Sequence, residues 1–284
     1  MKLRTLVVGL GKIGLLYNFS NKFNNYSNHC DVFTKEHGFE LVGGVDISKK
    51  NKLIFNKKFY KPFFNNLNLA CIKTCPDIIV LSIATANFHD VYKEIYFYKI
   101  KPKAFIIEKP GALNVIHLNK MFNYCKKNKI NIFMNYTRDF SNQLKNIYDL
   151  LKINKIGNVK KIEIYYNKGI FNACSHYVSF LSNFYKFKSA KNIKIHQQYK
   201  KDFDYYATFD VNLKKNISFI LVKKSIDERI KILGTKGYID YLTEKNLITF
   251  YTNSKVIKIK NDFKNDLKNM TDFVKKNINY RSKC

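Results

Sequence analysis

In the first half of the chain, short and nearly continuous apolar runs alternate with longer stretches whose apolar residues recur at helical spacing. Leu3 to Val8 is a β-rich run that ends in a glycine cluster, Gly9-Leu-Gly-Lys-Ile-Gly14. Leu15-Leu16-Tyr17 is apolar enough to begin a helix, the polar stretch Asn18 to Asn28 reads as an inserted loop, and Cys30 to His37 has the period of a short helix. Glu40 to Asp46 is a second strand that ends on an acid, and Asp77 to Ala84 is a third. The latter is almost unbroken in apolar residues, as a parallel strand covered on both faces is. Phe88 to Tyr98 follows as a helix, Ala104 to Glu108 as a fourth strand, Val115 to Lys127 as a helix and Asn131 to Asn135 as a fifth strand. This alternation predicts an α/β fold with a doubly wound parallel sheet.

The second half changes period. Val159 to Tyr166 alternates as a strand, and His176 to Tyr185 reads as a helix. Four or five strands then follow: Tyr205 to Val211, Ile217 to Val222, Ile230 to Leu233, Leu247 to Tyr251 and Val256 to Ile259. Their short polar turns, Gly234 to Gly237 among them, predict an α+β domain built on a mostly antiparallel, open sheet. Leu267 to Val274 is helical in pattern. The boundary is soft, near Arg138 to Ser141, and divides the chain into expected domains of residues 1–138 and 139–284.

Composition narrows the functional classes. At 284 residues with 46% hydrophobic content the chain can bury a sizeable core, and Lys or Asn interrupts every apolar run before it reaches a membrane span. Met1 runs straight into a strand with no signal-peptide pattern, so a cytoplasmic location is expected and no membrane partner. The formal net charge of +30 raises the question of nucleic acid. Arg, which reads bases and phosphates bidentately, occurs only at Arg4, Arg138, Arg229 and Arg281, while Lys is spread along the chain. Abundant Lys, Asn, Ile, Phe and Tyr match an AT-rich coding sequence, so no nucleic-acid partner is expected, although the charge favours an anionic small substrate. The six cysteines, Cys30, Cys71, Cys75, Cys125, Cys174 and Cys284, have no metal-site or redox-pair spacing. No metal is expected.

The glycine cluster carries the first chemistry. GxGxxG is weak alone, but here it lies between a strand and a helical start, as in the dinucleotide-binding turn of a Rossmann domain. Gly9 allows the tight turn, Gly11 lets backbone approach a pyrophosphate, and Gly14 lets helix pack on strand; Lys12 and Ile13 sit in the phosphate-facing turn. Asp46 lies further on than the usual spacing, and the inserted loop accounts for the excess. A carboxylate there accepts hydrogen bonds from an adenosine ribose and repels a 2′-phosphate. NAD is therefore the expected cofactor, with NADP as the alternative because Lys49 and Lys50 lie beside it.

Further motifs follow in order: Gly44-Val-Asp46, Pro76-Asp77 through Ala84-Thr85 with His89, Glu108-Lys109-Pro110, and Leu233-Gly-Thr-Lys-Gly237. With Gly9 to Gly14 they resemble the Gfo/Idh/MocA oxidoreductases, the glucose-fructose oxidoreductase and inositol dehydrogenase group, over most of the chain. The resemblance implies a Rossmann domain followed by an α/β domain whose open sheet faces substrate or a second subunit. It implies a carbinol carbon of a sugar, sugar nucleotide, inositol or related polyol as the reacting centre. It places Ala84, Thr85, His89, Glu108 and Lys109 at the cofactor. Lys109 is further implied as catalytic, beside the reacting hydroxyl, where an ammonium stabilises charge on oxygen or relays its proton.

The resemblance also implies His176 as the general acid/base. Two acids that accompany it in the family are replaced here by Asn172 and Ser179. Lys168 and Asn172 are expected substrate contacts, sharing one face with His176 if the stretch is helical. The segment after Tyr185 is brief and the chain ends soon after the last helix, so a reduced substrate domain is expected, with a second copy of the chain covering its open sheet. Two other classes remain: a non-catalytic dinucleotide-binding homologue with a degenerate site, and, ranked last, a basic nucleic-acid binder.

Overall fold

The computed structural model describes residues 1–17, 28–187, 189–199, 204–212, 216–252, 255–260 and 266–278. They fall into two compact units, one of Met1–Asn135 with residues 267–278 and one of Tyr136–Asp266. In chain order the first unit holds β1 (Leu3–Val8), α1 (His29–Lys35), β2 (Phe39–Val45), α2 (Lys49–Phe59), β3 (Phe63–Phe64), α3 (Leu67–Thr74), β4 (Ile78–Leu81), α4 (Phe88–Phe97), β5 (Ala104–Glu108), α5 (Val115–Lys127) and β6 (Asn131–Asn135). The six strands pair in parallel in the order β3-β2-β1-β4-β5-β6, so the doubly wound sheet expected from the alternating pattern is present. Leu6, Ile79, Leu81, Phe105 and Ile107 of the strands bury against Phe88, Tyr92 and Ile95 of α4 and Met121 of α5. Helix starts are fixed by short polar side chains: Asn28, Ser48, Asn66 and Asn114 each accept a backbone N–H of the following turn.

Three elements of this unit escape the hydrophobic pattern. α2 is Lys-rich with Phe55 as its buried residue, β3 spans two residues, and α3 is a short helix between β3 and β4. Leu15 does not begin a regular helix either: Lys12–Leu16 forms a single π-helical turn, after which Tyr17 is extended. The expected loop Asn18 to Asn28 lies outside the described residues except for Asn28, the cap of α1.

The second unit holds α6 (Asn142–Lys152), β7 (Val159–Tyr166), α7 (Ser175–Ser182), β8 (Ala190–Tyr199), β9 (Asp204–Asn212), β10 (Asn216–Leu221), β11 (Arg229–Gly234), β12 (Gly237–Leu242), β13 (Leu247–Thr252) and β14 (Val256–Lys260). Its eight strands run in the order β14-β13-β12-β11-β7-β10-β9-β8, antiparallel throughout except for the parallel pair β7 and β10. One face of the sheet is apolar: Ile162, Ile164, Ile230, Ile232, Ile239 and Ile248 pack with Leu144 and Ile147 of α6 and Tyr177 and Leu181 of α7. The other carries Lys161, Glu163, Tyr165 and Lys231, and Arg229 pairs there with Asp240 of the next strand. β8 and β12 were hidden in the sequence, the first because it is an exposed edge strand and the second because it begins inside the expected Gly234 to Gly237 turn.

The last helix, α8 (Asp266–Asn277), joins the first unit although it follows the second in sequence. Phe273 sets its ring edge-on to Phe133 at 6.1 Å, Lys268 pairs with Glu36 at 3.4 Å, and Lys275 donates to the His37 carbonyl. Among the described residues no helix is long and apolar enough to cross a membrane.

Ile232 lies in β11 between β7 and β12 and is fully buried. Ile232→Ala is expected to lower stability by about 2–5 kcal/mol, the usual cost of such a cavity, read as a lower urea midpoint.

Candidate active site

β1 and β4 lie side by side at the point where the strand order reverses, and ligands of doubly wound folds bind at that crevice. Gly9, just past β1, has φ +87°, and an added Cβ would press on the Ser82 carbonyl. A Cβ at Gly14 would overlap the Gly9 carbonyl oxygen. Gly11 is different: no heavy atom lies within 4 Å of where its Cβ would be, which leaves bare backbone facing open space. That is the cradle a pyrophosphate requires. Leu15 and Leu16 donate back to the Gly11 carbonyl at 2.9 and 3.0 Å, so the N–H groups of Lys12 and Ile13 precede the helical ladder and suit an anion. Lys12 is exposed and Ile13 half-buried. The Ser82 hydroxyl, 2.6 Å from the Gly9 carbonyl and 3.1 Å from that of Val8, ties this loop to the end of β4. Nothing in the sequence marked Ser82 beyond its place at the end of an apolar run.

Asp46 does more than end β2. Its Oδ2 accepts the Leu10 N–H at 2.6 Å and the Asn51 amide at 3.2 Å, and its Oδ1 accepts the Ser48 N–H at 2.8 Å. One carboxylate thus fastens the glycine loop to the start of α2. A carboxylate offers about four lone-pair sites, more than these three donors use, so a ribose hydroxyl fits beside them.

Beyond β4, Ala84 and Thr85 open a short 3-10 turn that leads into α4, with the Asn87 N–H returned to the Ala84 carbonyl at 2.9 Å. His89 stacks on His117, a partner that sequence reading missed, with centroids 3.8 Å apart. Desolvation first, then the charge of His117, holds the His89 imidazole below its ordinary range.

Glu108 closes β5 and is buried, whereas Lys109 and Pro110, joined by a cis bond, are half-buried at the strand's C-terminal end. Glu108 Oε1 lies 2.8 Å from His29 Nε2 and accepts the Asn135 amide at 2.5 Å. His29 is fully buried in the first turn of α1 and Asn135 ends β6, so three elements converge on the residue before Lys109. Neither partner was visible in the sequence, because their contacts span 79 and 27 residues.

In the second unit His176 occupies the first turn of α7, buried, with the Tyr136 ring edge-on at 5.9 Å. Asn172 sits in the π-helical turn Ile170–Cys174 that leads into α7. Asp204 of β9 accepts the N–H groups of Phe171 at 2.8 Å and Asn172 at 3.1 Å. Gly169 makes this approach feasible, since a Cβ there would overlap the Asp204 carboxylate. Lys168 departs from the expected arrangement. It precedes Gly169, whose extended backbone starts the turn, so it is not on a helical face with Asn172 and His176. It lines instead a polar cavity of about 260 Å³ with Arg138, Tyr177, Glu228 and Asn246. At that cavity Arg138 pairs with Glu228 at 2.7 Å, and the Tyr177 hydroxyl accepts from Arg138 while donating to Glu228.

A glycine cradle at the switch point, with an acid at the end of β2, is the arrangement of a dinucleotide-binding Rossmann fold. The profile of the oxidoreductase family with the NAD-binding Rossmann fold, Gfo/Idh/MocA, matches residues 3–136. No curated protein matches the chain. Solved structures do. The chain is similar to a variant of KijD10, a 3-ketoreductase from Actinomadura kijaniata in complex with TDP-benzene and NADP, at 9% identity over 97% of this chain and 89% of that one, with a TM-score of 0.77. It is similar to the WlbA dehydrogenase from Bordetella pertussis in complex with NADH and UDP-GlcNAcA, at 15% identity over 84% and 78%, TM-score 0.71. It is also similar to a super-repressor form of Gal80p from Saccharomyces cerevisiae, at 15% identity over 97% and 83%, TM-score 0.76. At such identities the likeness establishes the fold.

His29→Ala withdraws a partner from a buried carboxylate and is expected to lower stability by about 1–3 kcal/mol. Thermal denaturation of the variant beside wild type measures it, and an unchanged midpoint would mean that the contact is dispensable.

Proposed function

We propose that the chain is an NAD-dependent dehydrogenase or reductase acting on a carbinol carbon of a sugar, sugar nucleotide or related polyol. The observation that carries this reading is the open backbone at Gly11 between two glycines that admit no side chain, held to Asp46 through the Leu10 N–H. Gly9, Gly11, Lys12, Ile13 and Gly14 would hold the pyrophosphate, Asp46 the adenosine ribose, and Ala84, Thr85, His89, Glu108 and Lys109 the rest of the cofactor. When bound, the nicotinamide supplies the hydride acceptor or donor. Lys109, at the C-terminal end of a buried strand, presents an ammonium that stabilises charge on the substrate oxygen. His176 exchanges a proton with the same hydroxyl. Lys168 and Asn172 are proposed substrate contacts, from separate positions rather than from one helix face. A nucleotide-linked sugar is favoured by the cationic chain and by the ligands of the KijD10 and WlbA structures.

A second reading has its own support. Neither α7 nor the turn before it carries an acid, and the fold also serves a repressor, so a non-catalytic dinucleotide-binding homologue is the alternative. Turnover of NAD and NADP against a panel of sugars and nucleotide sugars decides between them: cofactor binding without turnover of any member favours the second.

Wild type is expected to bind NAD more tightly than NADP. Asp46→Ala should narrow that preference and weaken NAD about tenfold or more, since the variant loses a charged acceptor that also braces the loop. Titration of both cofactors reads this, and tighter NADP binding by wild type would refute the role of Asp46.

Lys109→Ala and His176→Ala should leave cofactor affinity within a few-fold of wild type while turnover falls by roughly a hundredfold or more. Steady-state kinetics beside cofactor titration separates the two effects. Full turnover in Lys109→Ala would remove that residue from the chemistry.

A further inference from the structure

The helix that bears His176 reads Ser-His-Tyr-Val-Ser-Phe-Leu-Ser, and the turn before it Ile-Phe-Asn-Ala-Cys, with no acid in either. An acid reaches this helix from another segment. Residues Thr137–Phe140 form a 3-10 turn packed on α7, and there the Ser179 hydroxyl donates to Asp139 Oδ2. His176 and Ser179 are three residues apart and so share a helix face. Tyr136, next to that turn, sets its ring against His176, and its hydroxyl is pushed above its ordinary range first by burial and then by the charge of Asp139. Tyr136, Asp139, His176 and Ser179 therefore make one cluster within the second unit.

The Asp139 carboxyl has no compensating cation among the ion pairs of the described residues. Arg138, its neighbour in sequence, is turned to Glu228 and Tyr177. Asp139 Oδ1 is buried with no hydrogen-bond partner. The other titratable groups packed about the helix are committed. Asp204 caps the preceding turn, Glu228 holds Arg138 and Tyr177, and Tyr166 and Cys174 lie in the core with their pKa values raised by burial.

We propose that Asp139 is a positioning residue for His176: anchored through Ser179, its carboxylate supplies the negative charge that α7 lacks and favours the imidazolium form of His176. The inference builds on the acid/base role of His176 proposed above. Burial pushes the Asp139 carboxyl up to about 6, against the pull of the Ser179 hydrogen bond, so the cluster changes charge near neutral pH. The sign for stability follows. A carboxyl whose pKa is raised by folding binds its proton more tightly in the folded state, so stability falls as pH rises through about 6. Asp139→Asn removes that loss and should be at least as stable as wild type at neutral pH.

The test is an NMR titration of the His176 ring in the full chain, in wild type, Asp139→Asn and the double variant Asp139→Asn/Ser179→Asp. The single variant should move the His176 midpoint to lower pH by about half a unit or more, the direction expected for losing an opposite charge. The double variant, which returns a carboxylate to the same cluster from α7, should restore it. An unmoved midpoint in Asp139→Asn, or no restoration in the double variant, would overturn the charge role. A single variant clearly less stable than wild type at neutral pH would make Asp139 structural and overturn it too. Because the titration needs no substrate, a chain that turns over no sugar would defeat the proposed function while leaving this result standing.

Discussion

Acids are the scarce resource of this chain, 21 Asp and Glu against 51 Lys and Arg, and the less exposed among them help to hold each unit together internally. A carboxylate taken out of water must find donors, and in a core the donors must come from elements that fold against it. Asp46 draws in the glycine loop and the start of α2; Glu108 draws in α1 and β6; Glu228 holds Arg138 and Tyr177; Asp204 holds the turn before α7. Each joins segments distant in sequence at a point where backbone leaves a strand or enters a helix. The surplus of Lys contributes little to this framework, since most of those side chains stay at the surface.

That distribution explains what the sequence made legible. Ala104 to Glu108, Val115 to Lys127, Asn131 to Asn135 and Val159 to Tyr166 fold over the residues their periodicity predicts, because burial on one or both faces writes a period into the chain. α2 and β8 have few buried side chains and leave no such record. The glycine loop and Asp46 were readable because their roles are local. His29, Asn135, Ser82 and Asp139 were not: each matters through a contact 27 to 79 residues away, which no spacing rule encodes.

Lys168 illustrates the opposite failure. Helical spacing from His176 back through Asn172 suggested one shared face, and the suggestion assumed an uninterrupted α-helix. Gly169 and the π-helical turn break that assumption, and the cause is again an acid. Asp204 needs the space a side chain at Gly169 would fill, so the backbone bends there to meet it. Lys168 is left on the far side of the bend, in the company of Arg138 and Glu228.

The same logic bears on how motifs should be read in a fold that serves both reductases and a repressor. Asn172 and Ser179, where the resemblance implies acids, look along the sequence like a degenerate site. In three dimensions each position still meets a carboxylate, from Asp204 at the backbone of Asn172 and from Asp139 at the hydroxyl of Ser179. A site is a set of charges at distances, and the chain is free to supply a charge from whichever element reaches the place. Asp204 gives its oxygens to backbone N–H groups and so fixes the course of the turn before α7. Asp139 keeps an oxygen buried without a partner, and burial pushes its carboxyl up to about 6.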